Sequence, residues 1–157
     1  MPFDSVSAVI GALAWEAAKL VLSTIFRRIG HKSVGKRKAL AELTAQGREQ
    51  VTTCLGRTLE YLTSDLSVQQ RTELARVIKH DIQVLAQSVK TLNEYALDLK
   101  LQPISNFSIS QLRRAFTWHL DENGFIPKKH DSASVANAYH ANELFQAELT
   151  RLHITSC

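Results

Sequence analysis

Residues 67–99 read SVQQRTELARVIKHDIQVLAQSVKTLNEYALDL, and their apolar positions decide the fold class. Ile78, Ile82, Leu85, Val89, Leu92, Ala96 and Leu99 fall at alternating spacings of four and three residues. That is a 3.5-residue period, the pattern of a helix burying one coiled-coil-like seam, whereas a strand would alternate every second residue. The stretch opens with Ser67 and, one turn on, Gln70. This pair forms a capping box, in which each side chain satisfies a free backbone donor of the other residue.

Upstream, residues 36–63 repeat the helical pattern through Leu40, Leu43, Val51, Leu55, Leu59 and Leu62. Gly47 and Gly56 interrupt that segment at a cost of about 1 kcal/mol each relative to Ala, so they mark close helix contacts or a kink. The link Ser64–Ser67 is so short that the two helices must be antiparallel neighbours, and residues 36–101 are expected to form a hairpin whose seam is filled within the chain. Downstream, Pro103 ends the run. Ser108 with Gln111 reads as a second capping box, and Phe107 is placed to staple against Leu112, predicting a helix over about 109–122. A last helix carries Val135, Ala138, Asn142, Phe145, Leu149 and Leu152. With a further segment at 5–29 described below, the expected class is all-α. The architecture is a helical bundle of about five helices with a long antiparallel hairpin at its centre. Residues 1–157 are read as a single helical domain, divided into an apolar N-terminal helix at 5–29 and a bundle body at 36–157.

Composition agrees. Of 157 residues, 45% are hydrophobic and 22% charged, with only 6 Gly and 3 Pro. Such a chain has the apolar surface to fold and few residues that punctuate sheets. Cys54 and Cys157 are too few for a disulfide framework or a four-cysteine zinc site. The net charge of +4 is uneven. Lys19, Arg27, Arg28, Lys32, Lys36, Arg37 and Lys38 face only Asp4 and Glu16 within residues 1–38, and the remainder is almost neutral. An anionic partner should therefore meet the Arg27–Lys38 segment first.

Residues Val6 to Phe26 contain just two charges, Glu16 and Lys19. The length fits a bilayer span and the basic flank follows the positive-inside rule; no basic residue precedes the apolar run, which separates it from a secretory signal. The energetics of a span are marginal. A central charge such as Glu16 costs roughly 2.5–3.5 kcal/mol on an insertion scale, Lys19 adds a similar cost, and the aliphatic and aromatic residues return about 0.3–0.6 kcal/mol each. On a helical wheel Ala12, Glu16, Lys19 and Ser23 share one narrow strip, and nearly everything else is apolar or small. Such a helix must bury most of its circumference, in a bundle or in lipid. Ser7–Gly11 and Ala14–Ala18 supply small-xxx-small spacings that permit close helix approach in either setting. Over residues 5–29 the arrangement resembles the HeLo-type helical bundles of cell-death effectors. The resemblance is one of architecture, and it implies a leading apolar helix that packs on a bundle and can act on membranes.

Motifs of catalysis are missing from the sequence. No phosphate-cradle, dinucleotide or nucleophile-elbow motif occurs. The histidines at 31, 80, 119, 130, 140 and 153 include the neighbouring pairs His80–Asp81 and His140–Glu143 but no complete metal-ligand set. Cys54 falls on the interior side of its helix and reads as core. Arg113, Arg114, Phe116, Trp118 and His119, followed by Lys128 and Lys129, interleave basic and aromatic groups that can meet phosphates or a protein. The simpler reading turns Leu112, Phe116 and Leu120 to the core and leaves the two arginines in solvent.

Together these features lead to a non-enzymatic module, without catalytic residues, metal or cofactor, that engages a membrane as a conditional membrane-perturbing effector. Val9, Ile10, Leu13, Trp15, Leu20, Leu22, Ile25 and Phe26 are expected to contact the membrane. Arg27, Arg28, Lys32, Lys36, Arg37 and Lys38 are expected to bind anionic lipid, and the N-terminal helix is a second candidate surface for self-association. The expected location is cytoplasmic, at the inner face of the membrane. The alternative is a soluble helical subunit or adaptor of a larger protein or nucleoprotein complex. It would use Arg113, Arg114, Trp118, Lys128 and Lys129 toward a protein partner, with nucleic-acid binding weak and salt-sensitive.

Overall fold

A computed structural model describes residues 33–120 and 132–157. Among these residues there are four α-helices and one 3-10 turn, with no strand. They are α1 (Ser33–Thr63), α2 (Val68–Asp98), α3 (Asn106–Thr117, continued by the turn Trp118–Leu120) and α4 (Ser132–Ser156). The all-α expectation holds. The apolar segment 5–29 and the loop containing Lys128 and Lys129 lie outside the described residues.

The seam read from the sequence is the buried face of α2. Ile78, Ile82, Leu85, Val89, Leu92 and Ala96 are all buried, and Leu99 packs half-buried at the end. Ser67 caps α2 as a complete capping box: its hydroxyl accepts from Gln70 N at 3.2 Å, while its own N–H donates to Gln70 Oε1 at 2.9 Å. Three side-chain links join α1 to α2: Lys36 to Asp98 at 2.8 Å, Arg57 to Asp81, and Arg71 to the Tyr61 carbonyl at 3.2 Å. The core continues through Leu40, Val51, Cys54, Phe116, Phe145, Leu149 and Leu152, so all four helices contribute to one apolar interior.

The two glycines of α1 differ. A Cβ on Gly47 would sit 3.4 Å from Leu149 of α4 and 3.9 Å from Leu92 of α2, so this glycine marks a close three-helix approach. Gly56 faces open space. Asn142, expected among the apolar positions of the last helix, is half-buried. Its Oδ1 and Gln50 Oε1 are enclosed without a hydrogen-bond partner among the described residues.

Two expectations about the α2–α3 connection are corrected. Helix α2 stops before Pro103, in a Schellman motif: Leu101 N–H donates to Ala96 O at 2.8 Å and Lys100 N–H to Leu97 O at 3.0 Å. Lys100 occupies the left-handed position at φ 57° that glycine usually fills. Helix α3 then starts earlier than its sequence suggested, because Ser105, not Ser108, is the N-cap, with Ser105 Oγ accepting from Ser108 N at 3.1 Å. The change of frame moves the staple. Phe107 becomes a second-position residue that points into solvent, 69% exposed, and does not meet Leu112. The apolar flanking positions pass to Ile104, which is buried, and Ile109, which packs against the core.

Candidate functional site

Two surfaces carry the residues singled out in the sequence. The first is the end of the bundle where α1 begins. Arg37 donates to the Thr155 carbonyl of α4 at 3.1 Å, and Lys36 pairs with Asp98 of α2, so the start of α1 lies beside the ends of α2 and α4. Val34, Leu97 and Ile154, one from each of these three helix ends, are exposed at 77%, 62% and 68%. Lys36, Arg37 and Lys38 border them, with Arg37 and Lys38 exposed. Tyr95 lies at the same end, its phenol raised above the ordinary value by burial and by Asp98 and Glu94, and lowered by Lys36. This end therefore combines aliphatic and basic groups. Among the described residues the charge of Lys36 is met by a carboxylate, that of Asp98.

Of the residues expected to bind anionic lipid, Lys36, Arg37 and Lys38 gather here, whereas Arg27, Arg28 and Lys32 lie outside the described residues. So do all eight expected membrane-contacting positions: Val9, Ile10, Leu13, Trp15, Leu20, Leu22, Ile25 and Phe26. No described helix is long and apolar enough to cross a membrane.

The second surface is the outer side of α3, whose orientation is set by its neighbours. Asn93 of α2 clamps Ile104 from both sides, donating to its carbonyl at 3.1 Å and accepting from its N–H at 2.8 Å. From α4, Arg151 donates to the carbonyls of Gln102 at 2.9 Å and Pro103 at 3.2 Å. Glu148 accepts from Ser105 N at 2.9 Å, from Ser105 Oγ at 3.1 Å and from Ser108 Oγ. A carboxylate from another helix thus satisfies the first turn of α3, where charge-assisted acceptors are most effective.

With α3 held in this way, Leu112 and Phe116 are buried and Arg113 and Arg114 are exposed, as the simpler sequence reading had it. The arginines do not act as a pair. Consecutive residues on a helix diverge by about 100°. Arg113 lies over a small apolar cleft lined by Ile82, Leu85, Ala86, Val89, Ile109, Leu112 and Phe145. Arg114 stacks instead over the Trp118 ring, 5.1 Å from its centroid. Trp118 is 60% exposed, while His119 turns inward and its Nε2 lies 3.3 Å from the Ala115 carbonyl. Phe107 shares the outward face with Arg114 and Trp118. The sequence reading missed it because the assumed cap gave it a staple partner.

Both cysteines and the described histidines occupy ordinary structural settings. Burial, with Asp81 adding to it, pushes the Cys54 thiol up to about 12, against the lesser opposing effects of Arg57 and a hydrogen bond with Thr58. A thiol so placed is a poor nucleophile. His153 Nδ1 sits 3.0 Å from Thr44 Oγ1 and 3.2 Å from the Ala41 carbonyl; because Thr44 itself donates to that carbonyl at 2.8 Å, the imidazole N–H is the donor to both oxygens. Asp81 pairs with Arg57, and His80, His140 and Glu143 are exposed. Among the described residues no group of three or more His, Cys, Asp or Glu side chains is placed to hold a metal ion. No family model, no curated protein and no solved structure matches the chain.

Proposed function

We propose that the chain is a non-enzymatic helical module that engages a membrane conditionally. The apolar segment 5–29 contacts lipid, and the basic segment 27–38 draws the module to anionic head groups. In this reading α1 and α2 form the central antiparallel hairpin of a single domain. The pairs Lys36–Asp98, Arg57–Asp81 and Tyr61–Arg71 support it, since residue numbers fall along one helix as they rise along the other.

The observation that carries the functional reading is the makeup of the bundle end at which α1 begins. Val34, Leu97 and Ile154 are exposed there beside Arg37 and Lys38. Exposed aliphatic groups bordered by basic ones suit the boundary between acyl chains and anionic head groups. Basic residues near such a surface contribute about 1 kcal/mol each before screening, comparable to the near-balanced insertion energy of segment 5–29. Because Glu16 and Lys19 hold that balance close to zero, engagement responds to modest changes in lipid charge or partner, which makes it conditional.

Vesicle flotation of the full chain tests the reading. The wild type is expected to float with anionic vesicles and less with zwitterionic ones. E16L should strengthen flotation by removing a central charge. The combination R27Q, R28Q, K32Q and K38Q should weaken it by about tenfold or more, and L97S with I154S should also weaken it. Lys36 is left intact because it pairs with Asp98. Failure of the wild type and E16L to float with anionic vesicles, with helical content retained, refutes the reading.

A further inference from the structure

We infer that the outer face of α3 is a docking site for a short acidic, amphipathic polypeptide segment, a property independent of membrane engagement. Phe107, Arg114 and Trp118 lie seven and four residues apart. On a helix of 3.6 residues per turn this puts them in one stripe about 16 Å long, opposite the buried Phe116. Phe107 and Trp118 are 69% and 60% exposed, two aromatic rings on one stripe rather than a single exposed apolar residue.

The chemistry of the stripe selects its occupant. Helix α3 contains two arginines and no carboxylate. The Arg114 guanidinium is stacked on the Trp118 ring. A guanidinium held over an indole ring by cation–π attraction keeps its full charge and its fork of N–H donors, the geometry that pairs with a carboxylate. Phe107, about two turns from Arg114, supplies an apolar anchor. The matching ligand carries acidic groups beside apolar side chains.

Area separates a short segment from a larger partner. Two aromatic anchors offer roughly 150–250 Å² each, well under the about 800 Å² per side of a stable protein–protein interface. A second folded copy is therefore poorly matched, and a single peptide segment is well matched. Nucleic acid is also disfavoured. It is held by several phosphate contacts along a basic track, and here Arg113 points away from Arg114 over the cleft beside α2.

The test uses the full chain with W15F, so that indole emission reports Trp118 alone. The probe is a synthetic peptide with Glu on one helical face and Leu and Phe on the other. Its Lys-for-Glu counterpart and a single-stranded oligonucleotide run in parallel. Saturable binding of the Glu peptide with a blue shift of Trp118 emission is expected. F107A, R114Q and W118A (the last followed by anisotropy of labelled peptide) should each weaken binding by about tenfold or more, in the manner of anchor residues. R114K should fall short of wild type because it keeps the charge and loses the planar fork. All three side chains are exposed, so helical content should not change. Lack of saturable binding, equal binding by the variants, or equal binding of the Lys peptide overturns the inference. Oligonucleotide binding with the same variant dependence also overturns it, assigning the face to nucleic acid. A concentration-dependent dimer lost in W118A overturns it in favour of a second copy.

Discussion

Leu85 sits near the middle of the α2 seam, 3% exposed, and lines the small cleft shared with Ile109, Leu112, Arg113 and Phe145. Leu85→Ala removes three carbons from this site. At about 0.8 kcal/mol per buried methylene the transfer loss alone is about 2.4 kcal/mol. The remaining cost depends on how far the walls collapse. Neighbours from α3 and α4 are each anchored elsewhere in the core, so collapse is incomplete and a cavity contribution is added. The expected total is about 3–4 kcal/mol, inside the range of about 2–5 measured for such truncations. Urea unfolding followed by far-UV circular dichroism should show a lower midpoint with an unchanged slope, since the surface exposed on unfolding hardly alters. Leu97→Ala is the control: Leu97 is on the same helix and 62% exposed, so its change should stay within about 0.5 kcal/mol. Leu85→Met, which conserves volume, should cost less than about 1.5 kcal/mol and keeps the comparison available if the alanine variant unfolds. A Leu85→Ala midpoint matching that of Leu97→Ala would refute a packed seam at this position.

Gly56→Ala should stabilise the protein by about 0.5–1 kcal/mol, because the added methyl meets nothing and the unfolded chain loses freedom; a lower unfolding midpoint would contradict the open setting of this glycine. Lys100→Gly should also stabilise, by about 1 kcal/mol or less, by relieving the left-handed backbone at φ 57°; calorimetry showing a loss would disprove that strain. In native protein one thiol, Cys157, should react with an aromatic disulfide reagent, and both only after denaturation, since Cys54 is buried and Cys157 exposed. The pH dependence has a definite sign. The Cys54 thiol is raised from 9.0 to about 12 on folding, so the native state holds its proton longer than the unfolded chain. Its contribution is therefore fully present below about pH 9 and declines as pH rises toward 12, by up to about 1.4 kcal/mol per pH unit. Cys54→Ala should lose stability less steeply over that interval than wild type, and parallel curves would refute the assignment.

The helical class of this protein and the seam buried by its principal helix are legible in local sequence pattern. A 3.5-residue period and a capping box are local patterns, enforced by backbone geometry wherever the helix packs, so Ile78 through Ala96 were legible without a partner in view. The interior position of Cys54 followed from the same logic, as did the inward turn of Leu112 and Phe116. How α3 begins and what it exposes depend instead on contacts from the other helices. Both Ser105 and Ser108 are adequate local caps, and Gln111 favours Ser108 by pattern. Glu148 reverses that choice from 40 residues away by accepting from Ser105 and Ser108, while Asn93 and Arg151 hold the connection that presents Ser105. Once the frame moves, Phe107 turns outward to join Arg114 and Trp118, and Arg113 departs over the cleft to α2. Likewise, Val34, Leu97 and Ile154 are far apart in sequence and share one end because the common core packs the start of α1 beside the ends of α2 and α4, where Lys36 meets Asp98 and Arg37 meets Thr155. Local periodicity encodes which side of a helix is apolar, whereas contacts from other helices decide which residues share a surface, because those contacts have no fixed spacing in the chain.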